Sequence, residues 1–267
     1  EKRKSQLQKL VSPFILRRTK KQVLKDLPDK VEKDMWLNFS PEEKQLYLAN
    51  LAQVNEQLQQ QLELEKVDSI LILAMMTRLR QICCEPRMLY ENYKGESTKF
   101  SMCLDLIETL KENGKKVLLF SSFTSIFDDF IEEFDRRGIK YHMITGAVDK
   151  KKRKEEVDAF QNDDSNVFLI SLKAGGTGLN LTKAQAVIHF DPWWNVSAQN
   201  QATDRAYRIG QTKNVLVYQL LMKNTIEEKI YEMQKRKKEM SDLFVENSNG
   251  GISTLSKEEL KDLFSMD

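Results

Sequence analysis

One segment of the sequence could bind a polyphosphate. Within residues 201–211, Gln201, Arg205 and Arg208 recur at the spacing i, i+4 and i+7. If this segment is helical, the three side chains share one face, and Asp204 beside them could orient an arginine through a paired hydrogen bond. Planar guanidinium groups suit phosphate oxygens. A surface helix held by salt bridges explains the same residues when the segment is considered alone.

A second segment is rich in glycine. Residues 171–180 hold Gly175, Gly176 and Gly178. Glycine permits close backbone approach, so exposed amides here could cradle a phosphate. The segment is neither a Walker A loop nor a dinucleotide fingerprint, because Leu181 stands where the third glycine of the fingerprint belongs. A tight turn between a strand and a helix is the alternative.

A third segment, residues 121–124, reads Ser-Ser-Phe-Thr and lies between an apolar run and a predicted helix. Hydroxyls and free amides at a helix N-terminus suit an anionic oxygen. Simple helix capping by Ser122 or Thr124 is the alternative.

These segments need elements to position them, and short apolar runs alternate with helical stretches between residues 96 and 225. The predicted strands are residues 117–120, 141–144, 167–170, 186–190 and 215–218, and the main helices are residues 124–137, 149–161 and 197–208. Such alternation predicts an α/β fold with a parallel sheet covered on both faces. Ligands bind such sheets at the carboxyl ends of the strands.

Helical sequence flanks this region on both sides. Residues 1–95 are predicted to be helical, with a helix that is capped by Ser40, can close a capping box through Glu43 and runs to Gln81. After residue 225 the chain is helical again, and Ser256 could start a last short helix.

Composition indicates the class of partner. The 267 residues hold 42 Lys and Arg against 40 Asp and Glu, but basic residues cluster within residues 1–30, 150–154 and 235–238. Basic clusters suggest a polyanion, although solvated helix faces or, for residues 150–154, a nuclear-localisation sequence are alternatives. The three cysteines form no disulfide pattern and fit a reducing, intracellular compartment. No metal site is predicted, because two histidines and no CxxC spacing argue against zinc.

Taken together, the order and spacing of the three segments resemble the C-terminal lobe of superfamily 2 helicase-like ATPases, most closely of the Swi/Snf branch. The matching segments are residues 117–124 (motif IV), 171–180 (motif V), 186–195 (its extension), 201–211 (motif VI), 225–230 and 12–19. Val196 and Tyr207 depart from the family pattern, and neither removes a charge.

The resemblance implies a RecA-like lobe in residues 96–225, preceded by a helical region (1–95) and followed by a C-terminal helical brace (226–267). It implies the second motor lobe of an ATP-dependent translocase on double-stranded DNA. The DNA-backbone contacts that it implies are Ser122, Phe123, Thr124, Lys173, Gly176 and Thr177. The implied arginine fingers are Arg205 and Arg208, with Gln201, Asp204 and Gly178 at the nucleotide and Trp194 coupling DNA contact to closure. Ordinary packing is the alternative for Trp194.

The resemblance assigns ATP and Mg²⁺ mainly to a first lobe N-terminal to Glu1, since this sequence has no Walker A lysine and no acidic Mg²⁺-binding box. The chain alone is therefore expected not to hydrolyse ATP. The expected partners are double-stranded DNA, that first lobe and a DNA-bound protein target, in the nucleoid or the nucleus. A stand-alone nucleic-acid-binding module and a strand-separating helicase are the rival functions.

Overall fold

The computed structural model describes residues 27–64, 67–175, 179–193, 195–243 and 256–265. Within them, one six-stranded sheet has the order β1-β6-β5-β2-β4-β3, and every neighbouring pair is parallel. The strands are β1 (Lys30–Leu37), β2 (Val117–Ser121), β3 (Tyr141–Ile144), β4 (Val167–Ser171), β5 (Ala186–His189) and β6 (Val215–Met222). The predicted parallel α/β sheet is confirmed.

Helices surround the sheet and also form a separate bundle. They are α1 (Pro41–Glu63), α2 (Ser69–Cys84), α3 (Thr98–Glu112), α4 (Ile126–Arg137), α5 (Lys150–Asn162), α6 (Leu172–Gly175), α7 (Val196–Thr203), α8 (Ile226–Leu243) and α9 (Lys257–Leu263). None of the helices in the described ranges is both long and apolar enough to cross a membrane.

The central strands are buried on both faces, as their apolar runs predict. In β2, Val117 and Leu119 join an apolar cluster that includes side chains of α3 and α4. The alternate residues Leu118 and Phe120 join a second cluster with side chains of α5, α6 and α7. The period of two along the strand therefore divides the core into two layers, one on each face of the sheet.

The prediction of helix throughout residues 1–95 is wrong at residues 30–37. These residues form β1, an edge strand whose register with β6 runs from Lys30 opposite Val215 to Leu37 opposite Met222. Five of its eight positions are exposed, and charged side chains are usual on edge strands. The charges interrupt the apolar pattern by which the other strands were recognised.

The predicted helix start at Ser40 is confirmed, but the long helix is divided in two. Ser40 Oγ accepts the Glu43 N–H at 3.2 Å, and Glu43 Oε2 accepts the Ser40 N–H at 2.8 Å, which completes the capping box. The helix α1 ends at Glu63, and α2 begins after a new cap at Asp68. The predicted start at Ser256 is confirmed by a second capping box.

The two ends of the described chain meet in the helical bundle. A third apolar cluster joins side chains of α1 and α2 to side chains of α8 and α9, for example Leu51, Ile72, Ile230 and Leu263. The predicted helical region and C-terminal brace thus share one core. The boundaries predicted for these two regions, residues 1–95 and 226–267, remain predictions.

Candidate functional site

A buried carboxylate connects two loops at the carboxyl edge of the sheet. Asp191, which follows β5, is fully buried. Its Oδ1 accepts the Ser121 hydroxyl at 2.8 Å and the Ser122 N–H at 2.9 Å, and its Oδ2 accepts the Ser122 hydroxyl. Because β2 and β5 are neighbours, these bonds tie the loop after one strand to the segment after the other.

An arginine from the helical region completes this network. Arg80, on α2, donates from Nη2 to Asp191 Oδ2 at 2.6 Å, to Ser122 Oγ at 3.0 Å and to the Pro192 carbonyl at 3.0 Å. Its guanidinium carbon lies 5.0 Å from the centre of the Phe123 ring. Sequence reasoning missed both Arg80 and the role of Asp191. Only the acidic residue in the 186–195 segment offered a signal, and nothing in α2 pointed to its partner.

Only part of the predicted phosphate-binding segment after β2 is exposed to solvent. Ser122 and Phe123 are half-buried, whereas Thr124 is exposed. Capping by Ser122 or Thr124 is wrong, because the N-cap of α4 is Ser125, whose side chain makes no capping bond. The Ser122 hydroxyl instead faces Asp191 and Arg80.

The glycine-rich segment begins at the same edge of the sheet. Ser171 ends β4 directly opposite Ser121 of β2, and its Oγ accepts the Ala174 N–H of α6 at 3.3 Å. Lys173 is exposed there, on α6, which follows β4, the strand next to β2. Gly176, Thr177, Gly178 and Trp194 lie outside the described residues.

The predicted single helix face of Gln201, Arg205 and Arg208 is wrong. The helix α7 ends at Thr203, and Asp204 is its C-cap. The Arg205 carbonyl leaves the helix to accept the Leu181 N–H at 3.0 Å, and turns replace helix through residue 210. Gln201 therefore remains exposed on α7, while the two arginines lie on the turn that follows it.

The structure still brings the two arginines together. Arg208 donates from Nη1 to the Leu179 carbonyl at 3.1 Å, which fixes it to the segment after the glycines. The pKa of Arg205 is lowered, first because partial burial disfavours its charge and second because Arg208 is close, although Asp204 opposes the shift. Arg205 and Arg208 are both half-buried, and two guanidinium groups this close fit an anion such as a polyphosphate.

Other titratable groups near the site offer no metal centre. In the part of the chain that the structure describes, no group of three or more His, Cys, Asp or Glu side chains could hold a metal ion. His189 is buried on β5, and burial lowers its pKa to about 4, so it is neutral at neutral pH. Its Nε2 lies 2.8 Å from Thr203 Oγ1, at the end of α7.

Comparisons with known proteins show the family and the fold of this chain. Residues 98–210 match the family model for the helicase conserved C-terminal domain, and residues 1–88 match that for the SNF2-related domain. A solved SWI2/SNF2 ATPase core of Sulfolobus solfataricus in complex with double-stranded DNA is 32% identical, with a TM-score of 0.75 over 98% of this chain and 56% of that one. The chain belongs to the SWI2/SNF2 family.

This chain can be aligned with the whole of a solved SWI2/SNF2 C-terminal domain. The separately solved C-terminal domain of the Sulfolobus solfataricus ATPase is 26% identical, has a TM-score of 0.72 and is covered in full by 90% of this chain. The RecA-like lobe is thereby confirmed. An uncharacterized ATP-dependent helicase of Mycoplasma pneumoniae is 41% identical over 97% of this chain. This chain spans 25% of the length of that helicase.

Proposed function

We propose that this chain is the second motor lobe of an ATP-driven translocase on double-stranded DNA. One observation carries the proposal: Arg205 and Arg208 lie together on the turn after α7, where the Arg205 carbonyl and the Arg208 guanidinium group each bond the backbone of the segment after the glycine-rich loop. The family's ATP-dependent helicases support ATP use by the complete protein. Its first lobe would supply most of the ATP and Mg²⁺ contacts.

The proposed DNA contacts follow two neighbouring strands. Thr124 and Lys173 are exposed beyond the carboxyl ends of β2 and β4, which are paired in register. A hydroxyl and an ammonium group suit backbone phosphates, which position a protein without reading sequence. The similar SWI2/SNF2 core that was solved with double-stranded DNA supports this assignment. Gly176 and Thr177 are proposed to extend the contact, and Ser122 and Phe123 to shape its loop.

The proposed work of Arg205 and Arg208 is to stabilise charge. Bound ATP supplies the phosphoryl group, on whose oxygens negative charge spreads during transfer. A guanidinium from a second lobe meets that charge when the lobes close, with Gln201, Asp204 and Gly178 beside the nucleotide. Two mutually repelling cations gain most from an anion between them. Trp194 is proposed to link DNA contact to this closure.

The test uses the full-length protein with Arg205→Ala and Arg208→Ala. Each is expected to leave nucleotide affinity nearly unchanged and to lower DNA-stimulated phosphate release by roughly 10³–10⁵. Lysine should substitute poorly, because it offers a point charge rather than a planar fork. The matched control is Arg136→Ala, whose side chain is 69% exposed on α4. Near-normal turnover of either variant, or loss through unfolding alone, refutes that arginine's role.

Two further measurements test the motor as a whole. The chain alone should release no phosphate with DNA present, because the proposed ATP site needs the first lobe. The affinity of the complete protein for DNA should fall linearly with salt on a log-log plot and depend weakly on sequence. ATP-dependent strand separation by the complete protein would favour a helicase instead.

A further inference from the structure

We propose that Arg80 is a positioning residue that couples the DNA-contacting loop after β2 to the segment that leads to Arg205 and Arg208. This inference rests on the proposed function. Arg80 lies on α2, outside every motif that the sequence indicated, and its one guanidinium group contacts both loops at the carboxyl edge of the sheet.

The contacts converge on a single nitrogen. Arg80 Nη2 lies within 3.0 Å of oxygens on Ser122, Asp191 and Pro192. The first belongs to the loop after β2, and the other two belong to the segment after β5. Phe123, next to Ser122, lies against the face of the same guanidinium group. A displacement of either loop therefore breaks bonds that hold the other.

Stability alone is a poor reason for this arrangement. The side chains of Arg80 and Asp191 are 12% and 0% exposed, and a buried ion pair is often no more stabilising than apolar residues of similar volume. Arg80 Nε is buried and has no hydrogen-bond partner among the described residues. An unpaired buried donor costs free energy, and such groups in native structures call for a specific explanation.

The segment after β5 continues to the arginines by a short bonded route. The Trp193 N–H, one residue beyond Pro192, donates to Gln199 Oε1 at 3.2 Å. Gln199 lies on α7, and the turn after α7 carries Arg205. Packed, hydrogen-bonded elements of this kind can carry coupling between two sites.

The helix that carries Arg80 is anchored in a buried apolar core. On the same helix, Leu79 and Ile82 are fully buried in the bundle of α1, α2, α8 and α9. The backbone of Arg80 is therefore anchored in the bundle core and not in the two core layers on the faces of the sheet. A shift of the bundle relative to the sheet would move both loops through this one side chain.

The test measures turnover of the full-length protein with and without saturating double-stranded DNA. The informative quantity is the ratio of the two rates, because partial unfolding lowers both rates equally and leaves their ratio unchanged. Arg80→Lys and Arg80→Met should lower this ratio by about tenfold or more, within the usual range of coupling between sites. Lysine can still pair with Asp191 but cannot stack on Phe123 as a planar group.

The matched control is Arg78→Met on the same helix. Arg78 donates to Asn50 Oδ1 at 2.7 Å and to the Tyr90 hydroxyl at 3.0 Å, away from both loops, so its ratio should equal that of the unchanged protein. If Arg80 acts through the loop, Ser122→Ala added to Arg80→Lys should lower the ratio little further, since the two changes break one network.

The outcomes separate the two proposals. A wild-type ratio in Arg80→Lys, together with clear stimulation of the unchanged protein, overturns the role of Arg80 alone. Absence of stimulation by double-stranded DNA in the unchanged protein overturns the proposed function and this inference with it. If Arg80→Met does not fold, the ratio of Arg80→Lys still decides.

Discussion

The substitution Lys99→Met tests the ion pair that joins α3 to the start of α8. Lys99 Nζ lies 2.5 Å from both carboxylate oxygens of Glu227, and both side chains are fully buried. Burial alone lowers the pKa of Lys99, but the Glu227 charge and further contacts outweigh it and raise that pKa. Burial raises the pKa of Glu227 and the Lys99 charge opposes that shift, so methionine would leave a buried carboxyl group without the cation that stabilises its charge.

The expected cost follows from this geometry. Removal of one partner from a buried pair costs about 3–5 kcal/mol of the free energy of unfolding. In a domain of this size about 1 kcal/mol corresponds to roughly 2–4 °C in Tm, so we expect a loss of roughly 6–20 °C. Glu227 Oε2 also accepts the Met222 N–H at 3.0 Å, which does not replace the lost charge.

The second partner can be removed in a way that keeps that hydrogen bond. In the double variant Lys99→Met, Glu227→Gln, the glutamine oxygen can still accept the Met222 N–H while no charge is buried. Its free energy of unfolding should return to within about 1 kcal/mol of the unchanged chain. Urea and thermal unfolding followed by circular dichroism measure all variants, with exposed Lys154→Met as a control expected to change stability by less than about 0.5 kcal/mol.

Two results would refute this reasoning. If Lys99→Met is as stable as the control, the buried carboxylate has another source of compensation. If the double variant is no more stable than Lys99→Met, the loss comes from packing rather than from an unpaired charge.

Two smaller predictions concern single side chains. His142 lies 2.6 Å from both Glu156 and Asp163; burial lowers its pKa, but the two carboxylates outweigh burial and raise it. The ion pairs of protonated His142 contribute fully to stability below the unfolded pKa of about 6.5, and the contribution is lost as pH rises through the raised pKa of the folded state. The free energy of unfolding, measured with urea, should therefore fall over that pH range by less than about 1 kcal/mol. The same dependence on pH in His142→Phe would contradict this reasoning. Ser40→Ala should cost about 1 kcal/mol in the same assay, whereas Ser40→Asp, which can still accept the Glu43 N–H, should cost much less; equal losses would show that the cap contributes little.

The sequence predicted the elements whose signals are local. The central strands are continuous apolar runs, and Ser40 and Ser256 begin helices with side chains that satisfy neighbouring backbone groups. The strand β1 was missed because its stability comes from pairing with β6, and its own charged residues hide the pattern.

The residues of the candidate site come from sequence motifs, and their role stays a prediction. The predicted helix ends before Arg205 and Arg208, and the Arg205 carbonyl accepts the Leu181 N–H, a tertiary contact that no local spacing reveals. Arg80 and Asp191 lie 111 residues apart in the sequence. Their contact arises only in the folded chain, where α2 lies beside the segments that follow β2 and β5.

The pairing of β1 with β6 sets an order of events during synthesis. The edge strand and the helices α1 and α2 leave the ribosome before β2, β3, β4 and β5, whereas their partners in β6, α8 and α9 leave after those strands. At about 5–20 residues per second, the intervening segment delays completion by roughly 10–40 s. During that interval α1 and α2 can pack on each other, but the parts of their apolar faces that α8 and α9 cover in the finished fold stay open.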